Sequence, residues 1–304
     1  MPKLIVATGG DEDIEGVIAR SLSCSEVSVG MVVGKTRALQ KPVLRVFDRS
    51  GATIAFAKVG VSAPTRELVR RETRVLQEFQ AAPPRFFATP RVLGADEWRG
   101  LTILLQQPMA GDGVPVMRDV IAAAREITRR GDVTDSALAD SAAWRDLRHR
   151  LERLAQTHEI AVRLADTAMR VEQQNPGTRM RTGRSHGDFT PWNVASTGTS
   201  IDVWDWEGCV DGLPAGFDLL HYRFQEAVVV RGGHPRLAFA DLLREAPSIL
   251  APWAPADPRL IVTTYLMHVA ATALETGDTQ ARISRLSEWV PDALTDVRSA
   301  GVHS

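Results

Sequence analysis

Ser185-His186-Gly187-Asp188-Phe189-Thr190-Pro191-Trp192-Asn193, followed after a turn by Ile201-Asp202-Val203-Trp204-Asp205-Trp206-Glu207, is the stretch that decides how the rest of the chain is read. An aspartate, an asparagine five positions on and a second aspartate twelve beyond that is a spacing that phosphoryl transfer from a nucleotide can use. The reaction needs one carboxylate to orient and accept the proton of an attacking hydroxyl, and two oxygen ligands to hold Mg²⁺ against the phosphates. Asp188 fits the first role, Asn193 and Asp205 the second. Taken singly, each is more often a surface turn residue, since Gly, Asp, Thr-Pro and Asn all favour turns. The apolar alternation of Ile201 to Trp204 ties them into one set, because it supplies a strand that carries Asp205 back beside the loop.

These residues resemble the aminoglycoside phosphotransferase and choline kinase group of small-molecule kinases. That group shares the two-lobed protein-kinase fold and shows an HGDxxxxN catalytic loop followed by a D-x-[DE] metal strand. Here the patterns read His186-Gly187-Asp188 to Asn193 and Asp205-Trp206-Glu207. Gly187 stands where protein kinases usually have arginine, and Trp206-Glu207 where they have Phe-Gly; both departures point to the small-molecule branch. The resemblance implies an α+β fold, with an antiparallel-sheet lobe carrying one main helix and a larger, mostly helical lobe. It implies Asp188 as catalytic base, Asn193 and Asp205 as Mg²⁺ ligands, ATP or GTP as donor, and a small-molecule hydroxyl as acceptor. It also implies that His186 is a structural anchor whose ring bonds backbone near the metal strand. Asp218, in a stretch from Gly212 to His221 that looks like the family's proline-to-Asp-Leu segment, would support the catalytic loop.

Composition agrees with a machine of this size. With 304 residues, 44% of them hydrophobic, the chain can bury one large core or two smaller ones. Lys+Arg 36 against Asp+Glu 37 gives a net charge of −1, so no overall field draws it to nucleic acid or an anionic membrane. Cys24 and Cys209 are the two cysteines; lacking a C-x-x-C pattern, they read as small buried apolar residues. No run of about 18 apolar residues marks a membrane span, and the start of the chain turns acidic at Asp11-Glu12-Asp13 too soon for a signal peptide. The cytoplasm is the expected compartment.

Strands come first and helices later. Residues 27–33, 43–47 and 53–58 read as a three-stranded meander, rich in β-branched and aromatic residues. Pro64 opens an amphipathic helix that ends before Pro83-Pro84, and two further strands are predicted at 90–93 and 101–105. The stretch from Pro108 to Gly113 has linker composition, which places a lobe boundary between residues 109 and 110. Beyond it, 116–129, 139–155, 160–174, 259–274 and 280–290 carry apolar residues at helical spacing.

Within the first lobe, Lys58 ends the third strand and Glu72 lies in the following helix. Alone, such charges are usually solvated. With the downstream loop they resemble the lysine that neutralises donor phosphates and the helix glutamate that fixes it. Glu67 and Glu78 are rival acids on the same helix, but Glu67 sits in its first turn, where a carboxylate simply suits the dipole. Gly30 to Thr36 imitates a P-loop but has three residues between its glycines instead of four, and leads into a strand. It reads as a hairpin whose Lys35 and Thr36 could touch phosphate. Gln106, Gln107, Pro108 and Met109 would connect the lobes, and the resemblance implies that the nucleotide base lies against backbone groups there, with Gln107 and Met109 beside it.

The acceptor is open between an aminoglycoside or other antibiotic, a sugar and an amino alcohol. A polycation would call for an acidic cleft, to which Asp211, Asp218 and Glu226 could contribute, with Arg223 and Arg231 nearby. The remaining histidines, His221 and His268 among them, show no metal-site spacing and read as background. A nucleotide-binding protein of the same fold without turnover is the rival reading. Protein-kinase activity fits poorly, because no activation segment of useful length separates Asp205 from Pro214.

Overall fold

Asp13 begins the described part of the chain by capping a helix, its Oδ1 accepting the Gly16 N–H at 2.7 Å. The computed structural model describes residues 13–32, 41–276 and 290. The chain divides into two compact units, Met1–Val116 with Asn193–Cys209, and Met117–Trp192 with Val210–Ser304.

The first unit opens with α1 (Ile14–Ser21), then β1 (Ser28–Val32), β2 (Val43–Phe47), β3 (Thr53–Gly60), α2 (Ala63–Ala81), β4 (Val92–Trp98) and β5 (Leu101–Gln106). The strands form one antiparallel sheet in the order β1-β2-β3-β5-β4, so the predicted meander is present. Alternation along β3 sorts its side chains. Ala55, Ala57 and Val59 join Ile103, Leu105 and the buried Val17 and Ile18 of α1 in one apolar cluster. Lys58 therefore points to the opposite face.

Helix α2 is started by Ser62 and Thr65 in a reciprocal capping box, with Pro64 in its first turn. Thr65, Val69, Glu72, Leu76 and Phe79 are all buried and follow one another at three- or four-residue steps, so Glu72 belongs to the inward stripe. Gly60 permits the close approach of β3 to this helix: a Cβ there would stand 2.6 Å from the Arg66 Cα.

The second unit continues with α3 (Met117–Arg130), β6 (Thr134–Ala137), α4 (Ala142–Leu154), α5 (Glu159–Gln174) and β7 (Arg179–Ser185). The chain then contributes the hairpin β8 (Val194–Ser196) and β9 (Ile201–Val203) to the first unit. It closes the second with β10 (Val210–Pro214), α6 (Phe217–Gln225), α7 (Pro235–Leu250) and α8 (Pro258–Thr276). Residues 260–267 of α8 are buried without interruption, as expected of a helix surrounded by others. A three-stranded antiparallel sheet, β10-β7-β6, carries Ser185 at the end of β7.

The fold class is the predicted α+β arrangement. Helices α1 and α7 and the β10-β7-β6 sheet were not expected, and β4 begins at Val92 and runs on to Trp98. The predicted helix over 280–290 lies, except for the helical residue 290, outside the described residues, as do Val33, Lys35, Thr36 and the first twelve residues. Cys209 is buried, but Cys24 is only half-buried; no disulfide joins them. No helix among the described residues is long and apolar enough to cross a membrane.

Candidate active site

In the first unit the chemistry gathers on Lys58. Its Nζ donates to both oxygens of Glu72, at 2.6 and 2.7 Å, and to Asp205 Oδ1 at 2.7 Å. Glu72 is fully buried and its Oε1 also accepts from Gln106 Nε2 at 3.0 Å and from the Trp206 N–H at 3.3 Å. A buried carboxylate with this many donors satisfies its lone pairs, which is what makes such burial tolerable. Burial disfavours the Lys58 ammonium, but the charges of Glu72 and Asp205 outweigh it and hold Lys58 above the ordinary lysine value.

Asp205 is delivered by a short piece of architecture. Hairpin β8–β9 pairs Val194 with Val203, and the Trp204 N–H donates to the Asn193 carbonyl at 3.1 Å, so Asn193 and Asp205 emerge at the same end of the hairpin. Asp202, between them in β9, is buried and accepts the Ala110 and Gly111 N–H groups at 3.2 and 2.8 Å. After the hairpin, Asp205 adopts a left-handed backbone, φ 69° and ψ 55°, which aspartate tolerates better than most residues. Trp206 then anchors the turn. It is fully buried, stacks on Phe87 at 5.6 Å, meets Phe79 edge-on at 4.7 Å, and donates its indole N–H to the Val203 carbonyl.

Carboxylate oxygens of Glu72, Asp205 and Glu207 lie within 4.8 Å of one another. Lys41 ion-pairs with Glu207 and stands 3.9 Å from Asp205. Burial, and then the neighbouring Lys58 charge, pull Lys41 down to about 8 despite the opposing pull of Glu72 and Asp205. Asp205 and Glu207 offer hard oxygen donors of the kind that suit a small divalent cation such as Mg²⁺, and the Asn193 backbone stands at the same end of the hairpin.

In the second unit the loop of His186, Gly187 and Asp188 is tied down by α6. Asp218, buried in the first turn of α6, accepts the Ser185 hydroxyl at 2.6 Å and the His186 N–H at 3.1 and 3.0 Å through its two oxygens. Burial pushes the Asp218 carboxyl up, against the pull of His186 and these hydrogen bonds. His186 is fully buried and its Nδ1 accepts the Asp188 N–H at 3.2 Å, with Gly187 between them at φ +82°, a conformation that favours glycine. The Asp188 side chain is about 40% exposed, which leaves it reachable. Its Oδ1 lies 3.4 Å from His221 Nε2, and His221 Nδ1 lies 3.0 Å from the Tyr265 hydroxyl.

Several of these residues were not expected. His221 was read as background, yet its ring stands between Asp188 and Tyr265, which are 33 and 44 residues away in sequence. Gln106 was read as part of a connection; its side chain turns inward to Glu72. Lys41 carried no signal, since it lies just before a strand. Gln107 is exposed and its N–H donates to the Arg91 carbonyl, while Met109 is half-buried. Lys35 and Thr36 lie outside the described residues. Of the rival acids, Glu67 pairs with Arg74 at the surface. The suggested acidic cleft is neutralised in place: Asp211 pairs with Arg184 at 2.9 Å, Glu226 with Arg231 at 2.9 Å, and Asp218 serves the loop.

No protein-family model matches the chain, and no curated protein does. Solved structures do. Aminoglycoside phosphotransferase APH(4)-Ia aligns with a TM-score of 0.59 at 14% identity, covering 95% of this chain and 98% of that one. The GDP complex of wild-type aminoglycoside 2'-phosphotransferase-IIIa aligns at 0.57 and 14%, over 92% and 97%. An amicoumacin kinase in complex with AMP-PNP, Ca²⁺ and Ami aligns at 0.52 and 11%, over 87% and 88%. The chain thus has the kinase-like fold found in aminoglycoside phosphotransferases and in amicoumacin kinase.

Proposed function

We propose that the protein is a metal-dependent phosphotransferase that moves the γ-phosphoryl group of ATP or GTP to a hydroxyl of a small molecule. The observation that carries this reading is the buried Lys58, held by both oxygens of Glu72 while it also reaches Asp205. A lysine fixed so firmly is a pre-oriented cation, available to phosphate oxygens without first being ordered. The fold supports the reading, since the structural neighbours include a phosphotransferase solved with GDP and a kinase solved with AMP-PNP.

In the proposed mechanism Lys58 binds donor phosphate oxygens, and Glu72 keeps its ammonium in place. Asn193 and Asp205, with Glu207 beside them, would hold Mg²⁺. When bound, the ion neutralises charge on the phosphates and on the leaving oxygen. Asp188 accepts the hydrogen bond of the acceptor hydroxyl, orients its oxygen toward phosphorus and takes its proton as the new P–O bond forms, while the bond from the γ-phosphorus to the bridging oxygen breaks and ADP or GDP leaves. Catalysis is chiefly positioning and electrostatics. The acceptor class spans aminoglycosides and other antibiotics, sugars and amino alcohols; because Asp211, Asp218 and Glu226 are already compensated, neutral acceptors belong in the first trials.

The test is Mg²⁺-dependent release of ADP or GDP, measured with and without a panel of polyols, amino alcohols and antibiotics. The expected result is release stimulated by one class of acceptor in the wild type and lost in Asp188→Ala. Nucleotide binding without stimulated release by any acceptor, in wild type and variant alike, would favour the non-catalytic reading.

A further inference from the structure

Lys3, Lys35, Lys41 and Lys58 are the only lysines in the sequence; the other basic side chains are arginines and histidines. Lys41 and Lys58 are both buried, and both stand on one cluster of acids in the first unit. Lys58 holds Glu72 and reaches Asp205 Oδ1. Lys41 ion-pairs with Glu207 and lies 3.9 Å from that same Asp205 oxygen. The sheet brings the two lysines together. Val43 of β2 faces Lys58 of β3, and the Pro42 carbonyl accepts the Val59 N–H at 3.0 Å, so the chain is fixed to β3 immediately after Lys41.

Charges in this cluster nearly balance. The carboxylates of Glu72, Asp205 and Glu207, set against the ammonium groups of Lys41 and Lys58, leave a single negative charge. Asp205 and Glu207 are the acids that offer oxygens to a divalent cation, and they are also the two that Lys41 approaches. A dication added while Lys41 keeps its place meets an ammonium at close range, where like charges repel strongly in a partly dry site. Lysine suits an occupant that must give way. Its ammonium is a compact point charge on a flexible stem, whereas a guanidinium would lock a carboxylate in a rigid fork. Phosphate oxygens offer that ammonium an equally good destination.

We propose that Lys41 and the divalent cation are alternative partners of Glu207 and Asp205, and that Lys41 gives these oxygens up only when a metal-nucleotide complex supplies phosphate oxygens for its ammonium. The inference rests on the reading of Asp205 as a metal ligand. Its consequence is coupled loading: free metal binds weakly, metal and nucleotide bind together, and each raises the affinity of the site for the other by the same factor. Lys58 takes no part in the exchange, because the fully buried Glu72 holds it with both oxygens.

The experiment measures binding, not turnover, on the full chain. Mn²⁺ alone is titrated by electron paramagnetic resonance, and Mg²⁺ with AMP-PNP or GMP-PNP, whichever binds tighter, by calorimetry. Wild type is compared with Lys41→Met, Lys41→Arg and Asp205→Asn. Lys41→Met is expected to bind Mn²⁺ alone on the order of 10- to 100-fold tighter than wild type, since a like charge beside the dication has been removed. It should bind the metal-nucleotide complex no tighter, because the ammonium lost there contacts phosphate. Lys41→Arg keeps the charge and should show none of the gain. Unchanged or weaker Mn²⁺ binding in Lys41→Met overturns the inference, as does an equal gain for Mn²⁺ alone and for the nucleotide complex. Undiminished binding of both in Asp205→Asn overturns the metal reading and the inference with it, whereas failure in Lys41→Met alone leaves that reading standing. Lys41→Gln, neutral and still able to donate to Glu207, replaces the Met variant if the latter does not fold. Carbon-13 spectra of wild type labelled at lysine Cε, assigned with Lys41→Arg, give a second readout. The Lys41 signal is expected to shift when the metal-nucleotide complex is added, and a stationary signal overturns the proposal.

Discussion

Asp205 meets three demands at once: a left-handed backbone, a hydrogen bond from Lys58 and a place beside Glu207. Replacing its carboxylate while keeping its shape separates them. Asp205→Asn should weaken MgATP binding by about 10- to 100-fold, the equivalent of about 1.4 to 3 kcal/mol for a lost charged hydrogen bond, and should weaken metal-free ATP binding less. Calorimetric titration with and without EDTA checks this, and equal loss in both conditions counts against a metal role. Glu72 answers to a different test. Glu72→Ala leaves a buried ammonium with Asp205 as its remaining carboxylate partner, so a stability loss of about 3 kcal/mol is expected in urea unfolding. How these residues declare themselves in sequence differs. Glu72 was legible because it falls on the stripe of Thr65, Val69, Leu76 and Phe79, whereas Glu67 lies off that stripe and, with the helix starting at Ala63, past the first turn in which it was expected. His221 was not legible, because nothing local links it to Asp188 or to Tyr265; only the packing of α6 and α8 does.

At the scale of elements, the turn from Asp205 to Gly208 is stabilised more by packing than by its own backbone. Trp206 fills the space between Phe79 of α2 and Phe87, so Trp206→Ala should cost about 3–5 kcal/mol, read as a lower urea midpoint. It should also lower nucleotide affinity, because the Trp206 N–H is one of the donors on Glu72. Unaltered affinity in a folded variant would separate the anchor from the lysine pair. The elements that carry the first-unit site were readable: β2 and β3 have strong strand composition, and α2 has a capping box and a clean apolar stripe. What escaped reading was short or polar. Helix α1 has only eight residues, and β7 reads as a basic stretch, Arg179-Met180-Arg181-Thr182-Gly183-Arg184, whose alternate burial is imposed by the sheet it joins.

For the whole molecule, acid stability should bear the mark of one histidine. Burial, then the Arg150 and His221 charges, lower His268 to about 3. The unfolded chain binds a proton there below about pH 6.5 and the folded chain does not until about pH 3, so stability falls as pH drops through that window. Urea midpoints between pH 7 and 4 should decline less steeply in His268→Asn, whose carbonyl can still accept from Arg150; identical slopes would exclude His268 as the source. A net charge of −1 carried no sign of an overall electrostatic field at this scale, but the assignment of Asn193–Cys209 to the first unit was hidden, since no linker composition marks either end of it. That loan of a short segment has a genetic corollary. Recombination at codon 116 would bring in Phe79 and Phe87 from one parent and Trp206 from another, so shuffled halves inherit mismatched aromatic partners. Lineages of such a protein are therefore expected to diversify by point substitution around a jointly inherited pair of segments, not by exchange of halves.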